Sequence, residues 1–229
     1  MQAIILAAGK GTRLRPLTFA TPKPLLIVAG KPILEHTLNA LPEEIKEAVL
    51  VIGYLGEQIK RYFGSEYKGR KITYIHQKKQ LGTFNALKQA RPALGGSFLS
   101  LMGDDLYNQK DLARLLKFDH AVLVRKVTGP SEMFGVCLVR DRCLVKDILE
   151  KQSGLKFKFA NCGAFKLTQD IFKEKIIYGP TGEEWLSSMI GSLAKKKPVR
   201  VVEAKRWFPI ATPNDLKNAH KFLALKKEK

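Results

Sequence analysis

The sequence predicts an α/β protein built on a mainly parallel mixed sheet covered by helices on both faces. Through the first half, short apolar runs alternate with segments of helical spacing, the order that strand, helix and parallel strand produce. From Ala121 onward β-rich segments take over. The 229 residues suffice for one large core.

Gln2 to Leu6 reads as a buried strand, short, apolar and soon followed by Gly9. Lys31 to Leu41 carries apolar residues at helical spacing, with Pro32 near the first turn, where proline is tolerated. Strands are expected at Ala48 to Ile52, Lys71 to His76 and Phe98 to Met102, and helices at Glu57 to Phe63, Phe84 to Ala90 and Asp111 to Lys117. Strands at Ala121 to Val127, Gly135 to Val139, Leu144 to Leu149 and Asn161 to Leu167 follow, with Lys156-Phe157-Lys158 as a basic linker. A helix is expected from Glu183 to Leu193, and Lys217 to Lys229 reads as a helix end and charged tail.

Composition narrows the classes. A hydrophobic share of 45% is ordinary for a globular protein, and no apolar run approaches the roughly 20 residues of a membrane span. The N-terminus lacks the order of a signal peptide, so a cytoplasmic location is expected. Cys137, Cys143 and Cys162 form neither a disulfide framework nor a metal spacing, and the four histidines are scattered. A formal charge of +19 raises nucleic acid as a partner, but the basic residues spread along the whole chain without an aromatic-basic module. Runs such as Lys195-Lys196-Lys197 and Lys226-Lys227 read as solvated faces. No nucleic acid or membrane partner is expected; a small polyanion suits the field, and a homo-oligomer is compatible with the sequence.

The organising stretch is Ile4 to Thr18. Its apolar run ends in Gly9 and Gly11, and Lys10, Thr12, Arg13 and Arg15 arrive within the same loop. Small residues let the main chain approach an anion, and Lys and Arg supply charge, so this is the pattern of a polyphosphate site. A dinucleotide fingerprint needs a third glycine where Leu14 stands. A P-loop needs a glycine where Ile4 or Leu25 stands.

Leu6-Ala7-Ala8-Gly9-Lys10-Gly11-Thr12-Arg13-Leu14, with Pro22-Lys23-Pro24-Leu25-Leu26, resembles the signature of the sugar-phosphate nucleotidyltransferases, or sugar-nucleotide pyrophosphorylases. The likeness continues through Gln77, Leu81-Gly82-Thr83 and Gly103-Asp104, then Phe134-Gly135-Val136, Glu150-Lys151 and Asn161-Cys162-Gly163. It implies a single domain, 1–229, of three-layer, Rossmann-like, glycosyltransferase-A-like fold. The nucleotide-binding half would span about 1–120 and the sugar-phosphate half about 121–216. The implied activity joins a nucleoside triphosphate to a sugar 1-phosphate with release of pyrophosphate, in the manner of glucose-1-phosphate thymidylyl- and uridylyltransferases. Ala8 leans toward uridylyl-type members. The hexapeptide repeats that many members carry are not in this sequence, so one activity is expected.

The same resemblance assigns residues. Leu6, Ala8, Gly9, Lys10, Gly11 and Thr12, with Gln77, Gly82 and Thr83, would bind the nucleotide. Arg13, Lys23, Asp104 and Lys151 would be catalytic, with Asp104 the Mg²⁺ ligand at a strand's carboxyl end, where a magnesium carboxylate is usual. Gly135, Glu150, Lys151 and Asn161 would hold the sugar phosphate; read without the family, Glu150-Lys151 is a solvated strand end. Asp105 reads as an acid beside the metal or a helix start.

One departure stands out. Trp207-Phe208-Pro209-Ile210-Ala211-Thr212-Pro213 resembles the family's Trp-x-Asp-Ile-Gly-Thr-Pro, with Pro209 at the second metal-binding aspartate and Ala211 for Gly. Proline has no ligand atom in its side chain. A regulatory nucleotide binder with weakened chemistry is therefore one alternative; the other is cytidylyl transfer to a phosphorylated alcohol, a neighbouring class that shares the glycine loop and Pro-Lys-Pro and differs in the acceptor pocket.

Overall fold

The structure is a computed structural model describing residues 1–141 and 143–224. The end of the expected charged tail, with Lys226 and Lys227, lies outside the described residues. In chain order the elements are β1 (Gln2–Ala7), β2 (Ile27–Val28), β3 (Lys31–Pro32), α1 (Ile33–Asn39), β4 (Glu47–Ile52), α2 (Gly56–Phe63), β5 (Glu66–Tyr67), β6 (Arg70–His76), α3 (Thr83–Ala90) and β7 (Ser97–Met102). They continue with β8 (Asp105–Tyr107), α4 (Gln109–Leu115), β9 (Ala121–Lys126), β10 (Gly135–Arg140), β11 (Leu144–Glu150), β12 (Phe159–Thr168), α5 (Leu186–Ala194), β13 (Arg200–Glu203), β14 (Trp207–Pro209) and α6 (Pro213–Ala224).

Ten strands form one mixed sheet in the order β10-β11-β13-β9-β12-β7-β1-β4-β6-β5. The run β7-β1-β4-β6 is parallel, while β12 enters antiparallel to both β7 and β9 and joins the two halves. Alternation along each strand divides the core. Ile4, Leu6, Val49 and Val51 face Phe84 and Leu87 of α3 and Met189 and Leu193 of α5. Ala3, Ile5, Leu50 and Ile52 face Leu34 and Leu38 of α1, Ile59 and Phe63 of α2, and Leu112 and Leu115 of α4. Two helical layers enclose the sheet, which gives the expected three-layer architecture. Each fully buried Leu, Ile or Phe contributes about 1.5–3 kcal/mol. Among the described residues no helix is long and apolar enough to cross a membrane.

The last segment returns to the first. Ile210 and Ala219 pack with Leu14, Leu26, Val28, Ile33 and Leu106, so α6 closes over the glycine-loop side of the sheet. Asp111 holds that return in place. Its fully buried carboxylate accepts hydrogen bonds from the backbone N–H groups of Lys205 (2.8 Å) and Arg206 (3.0 Å) and from Arg114 Nη2 (2.7 Å). A carboxylate with several strong donors is stable in the interior, and it fixes the entry into β14.

Four local expectations are corrected. The helix expected over 31–41 is Ile33–Asn39, because Lys31 and Pro32 pair with Val28 and Ile27 in a hairpin. The helix expected from Glu183 starts at Leu186, because the backbone of Glu184 is bonded to Leu81 and Phe84 instead. Asp105 begins a strand rather than a helix; α4 starts later, where Asn108 Oδ1 accepts from the N–H groups of Lys110 (2.9 Å) and Asp111 (3.3 Å). Strands β13 and β14 arise where none was expected, each short and given its partner by distant chain.

Candidate active site

The parallel register brings β1 and β7 side by side, Leu6 opposite Met102, so that Ala8-Gly9 and Gly103-Asp104 leave the sheet at the same edge. This is the carboxyl edge, where ligands bind in such sheets. Gly103 N–H donates to Leu6 O at 2.9 Å, and a Cβ on Gly103 would lie 3.0 Å from that oxygen. The glycine loop then turns through Gly11 (φ 61°) into a short 3₁₀ turn, Thr12–Leu14, anchored by buried Leu14. Thr18 Oγ1 donates to Gly11 O at 2.8 Å and closes the loop.

Lys23 opens a second 3₁₀ turn between Pro22 and Pro24, and its side chain runs inward, 7% exposed. Its Nζ donates to Asp104 Oδ2 at 2.5 Å. Two residues 81 positions apart in sequence thus form one ion pair at the end of β7.

Beside this pair lies a cavity of about 270 Å³ whose wall includes Leu6, Ala8, Gly9, Lys23, Gln77, Gly82, Thr83 and Asp104. Gln77 is 5% exposed. Gln80 Nε2 donates to Ala8 O at 2.8 Å across the cavity wall. Gly82 has φ +101°, and a Cβ there would lie 2.6 Å from the Glu184 nitrogen, so only glycine fits. Lys10, Thr12 and Arg13 do not line this wall; they stand exposed on the loop, with Gly11 half-buried beneath them.

A second cavity, also about 270 Å³, gathers Gly135, Glu150, Lys151 and Asn161 with Asp105, Gly163 and Ser187. All four residues expected on the sugar-phosphate side converge there. β10 and β11 place Gly135 directly opposite Glu150, and a Cβ on Gly135 would come 2.5 Å from Glu150 Oε1. Lys151 has φ +51°, and its ammonium lies 5.7 Å from the Trp185 ring centroid. Asn161 Oδ1 accepts from Gly163 N–H at 2.9 Å, where β12 shifts register against β9. Glu150, half-buried, and Lys151, exposed, thus stand at a cavity wall as well as at the solvated end of β11.

Thr83, Met102 and Trp185 line both cavities. Trp185 and its neighbours Glu183 and Ser187 were not among the expected residues. Trp185 Nε1 donates to Glu183 Oε2 at 3.0 Å, and Leu186 N–H donates to Thr83 Oγ1 at 2.9 Å, which holds this segment against the first half of the chain. Its signal in the sequence is the Gly179-Pro180-Thr181-Gly182 turn run ahead of an acid and an aromatic.

The acids differ in environment. Asp104 has 38% of its side chain exposed, whereas Asp105 is buried and its Oδ2 accepts from Trp207 Nε1 at 2.9 Å. Burial first, and the neighbouring Asp104 charge second, push the Asp105 carboxyl up to about 8, against bonds from Trp207 and the Ile210 backbone. Asp105 thus braces β14. Among the described residues no three His, Cys, Asp or Glu side chains converge as a metal-binding group. Mg²⁺ takes one or two carboxylates together with phosphate oxygens and water, and the open carboxylate of Asp104 at the cavity edge fits that donor set.

The sequence matches the family described as Nucleotidyl transferase over residues 2–226. The bifunctional protein GlmU of Methanocaldococcus jannaschii is 35% identical over 226 residues, covering 97% of this chain and 54% of that protein. The UTP–glucose-1-phosphate uridylyltransferase AglF of Haloferax volcanii is 32% identical over 234 residues, covering 97% and 96%. A solved chain assigned as a glucose-1-phosphate thymidylyltransferase of Bacillus anthracis superposes with a TM-score of 0.87 at 25% identity, covering 100% of this chain and 96% of that one. The chain spans about half the length of the first curated relatives it matches. Since the family match runs from the first strand through the last helix, the chain belongs to the nucleotidyl transferase family.

Proposed function

We propose that this protein transfers a nucleotidyl group from a nucleoside triphosphate to a sugar 1-phosphate, releasing pyrophosphate. The observation that carries the reading is the meeting of two cavities at Thr83, Met102 and Trp185, one walled by the glycine loop, Gln77 and the Lys23–Asp104 pair, the other by Glu150, Lys151 and Asn161. The uridylyltransferase among the relatives, similar along nearly its whole length, supports the same reaction.

In this reading the first cavity takes base and ribose, and the second takes the sugar. An anionic oxygen of the sugar phosphate bonds to the α-phosphorus; the bond between that phosphorus and the bridging oxygen breaks, and its electron pair leaves with pyrophosphate. The attacking oxygen is already ionised, so no general base is required, and catalysis consists of positioning and charge neutralisation. Lys23 neutralises the α-phosphate, Lys151 holds the acceptor phosphate from the other side, and Glu150 and Asn161 fix the sugar hydroxyls. Arg13, exposed on the loop with Lys10, covers the departing phosphates. Asp104 would hold Mg²⁺, which when bound supplies charge neutralisation between the two substrates.

Pro209 supports a second reading, a regulatory homologue that binds triphosphate without turnover. Pyrophosphate release with Mg²⁺, measured over a grid of nucleoside triphosphates against sugar 1-phosphates and alcohol phosphates, separates the readings. Turnover with a sugar 1-phosphate supports the transferase. Turnover only with an alcohol phosphate moves the acceptor class, and binding without turnover establishes the regulatory homologue.

A further inference from the structure

The amide of Gln77 is held from two sides. Its Nε2 donates to the Gly82 carbonyl at 3.2 Å and to Asn85 Oδ1 at 3.2 Å. Asn85 Oδ1 in turn accepts from Gln89 Nε2 at 3.1 Å, one turn further along α3. Two donors converge on that one oxygen, so the Asn85 amide is itself pinned with its carbonyl toward Gln77. The Gly82 carbonyl is held as well, since it also accepts from Ala86 N–H at 3.2 Å at the start of α3.

An amide has a donor end and an acceptor end. Exchanging the ends of Gln77 would set its oxygen against two acceptors, the Gly82 carbonyl and Asn85 Oδ1, inside a wall where the residue is 5% exposed. Both N–H groups are committed, and Oε1 takes no hydrogen bond among the described residues. What Gln77 offers the cavity is therefore an acceptor. An acceptor there matches a base that presents a ring N–H: the imide of uracil or thymine, or the lactam of guanine. Cytosine and adenine present a lone pair at that ring nitrogen and can satisfy the acceptor only by shifting to bring the exocyclic amine beside it into reach.

We propose that Asn85, braced by Gln89, is a positioning residue that fixes the Gln77 amide and makes the base cavity select ring N–H bases. The inference rests on the triphosphate reading of the first cavity and adds to it the rule by which the base is chosen.

The test is equilibrium binding of UTP, GTP, CTP and ATP to the whole protein with Mg²⁺ and no sugar phosphate, by calorimetry, for wild type, Asn85→Ala, Asn85→Asp and Gln89→Leu. Wild type is expected to prefer UTP over CTP by at least about tenfold, since a buried acceptor left unpaired costs that much. Asn85→Ala is expected to lower the ratio about 5- to 10-fold, the worth of one buried hydrogen bond. Asn85→Asp, which still accepts from both glutamines, is expected to keep the ratio, and Gln89→Leu to lower it less than Asn85→Ala. Equal wild-type affinity for UTP and CTP overturns the proposal. So does loss of affinity for all four triphosphates alike in both Asn85 variants, which is the mark of a scaffold residue. Binding of no triphosphate by the wild type overturns the reading of the cavity itself.

Discussion

Pro209 stands directly opposite Asp105 in the two-stranded β8–β14 ribbon, and the Asp105 carboxylate reaches along that ribbon to the indole N–H of Trp207. The aspartate found at this place in the family's motif would put another carboxyl beside Asp104 and Asp105, where burial and the Asp104 charge already oppose ionisation of Asp105. Proline removes that repulsion together with the ligand. In Pro209→Asp, therefore, stability without divalent ions is expected to fall by about 1–3 kcal/mol, a drop of about 2–12 °C in Tm for a chain of this length. Addition of MgCl₂ is expected to restore most of it, and to shift wild-type Tm less. Thermal unfolding of both proteins with and without Mg²⁺ checks this; an equal response to the ion in both would refute it.

The Lys23–Asp104 pair predicts an asymmetry between its two halves. The Lys23 side chain is 9% exposed and Asp104 38%. Asp104→Ala leaves an ammonium buried without its partner, whereas Lys23→Met leaves a carboxylate that water reaches. Both are expected to lower pyrophosphate release by about 100-fold or more, as losing one preorganised electrostatic group does. Only Asp104→Ala is expected to lower Tm appreciably. Equal Tm losses would show that the lysine is solvated.

Gly82→Ala places a Cβ at φ +101° and against the Glu184 backbone. The strain is expected to cost about 1–3 kcal/mol, seen as a lower urea midpoint. Because the same backbone holds Gln77 and abuts Trp185, triphosphate affinity is expected to fall with it. An unchanged midpoint would mean that the 183–186 segment yields.

His120 sits 5% exposed at the opposite edge of the sheet, its Nδ1 without a hydrogen-bond partner among the described residues. Burial lowers its pKa; Asp170 and Asp119 raise it, while Lys197 and Lys166 add to the lowering. The folded protein thus resists a proton that the unfolded chain accepts near the ordinary histidine value of about 6.5. Stability is expected to be fully present above that value and to decline as pH falls from it toward the depressed folded value. His120→Leu is expected to flatten this decline in urea titrations between pH 7.5 and 5.5. Parallel profiles for the two proteins would assign the decline to other groups.

The sequence made legible what is written locally. The glycine loop, Lys23 between its prolines and Asp104 after Gly103 are each fixed by near neighbours, and the alternation of periods gave the three layers. Gly135, Glu150 and Asn161 were legible through the resemblance, and β10, β11 and β12 bring them to one wall. What escaped depends on contacts between distant segments. Trp185 is placed by bonds from Glu184 to Leu81 and Phe84, and β14 by Asp111 and by Asp105. The Gln77–Asn85–Gln89 relay escaped for another reason: whether neighbouring amides share one oxygen is a matter of ångströms, which spacing along a helix does not specify.

Both tryptophans of the chain stand at the proposed centre, Trp185 on the partition between the two cavities and Trp207 on the Asp105 carboxylate. The protein consequently carries its own optical gauge. Light emitted after excitation of indole comes from nowhere else in the fold, so a spectral change on adding a triphosphate reports the first cavity without a label. A further change on adding the acceptor reports the partition. With Trp207→Phe only the partition remains luminous, and the order in which the two substrates enter becomes a matter of watching one ring.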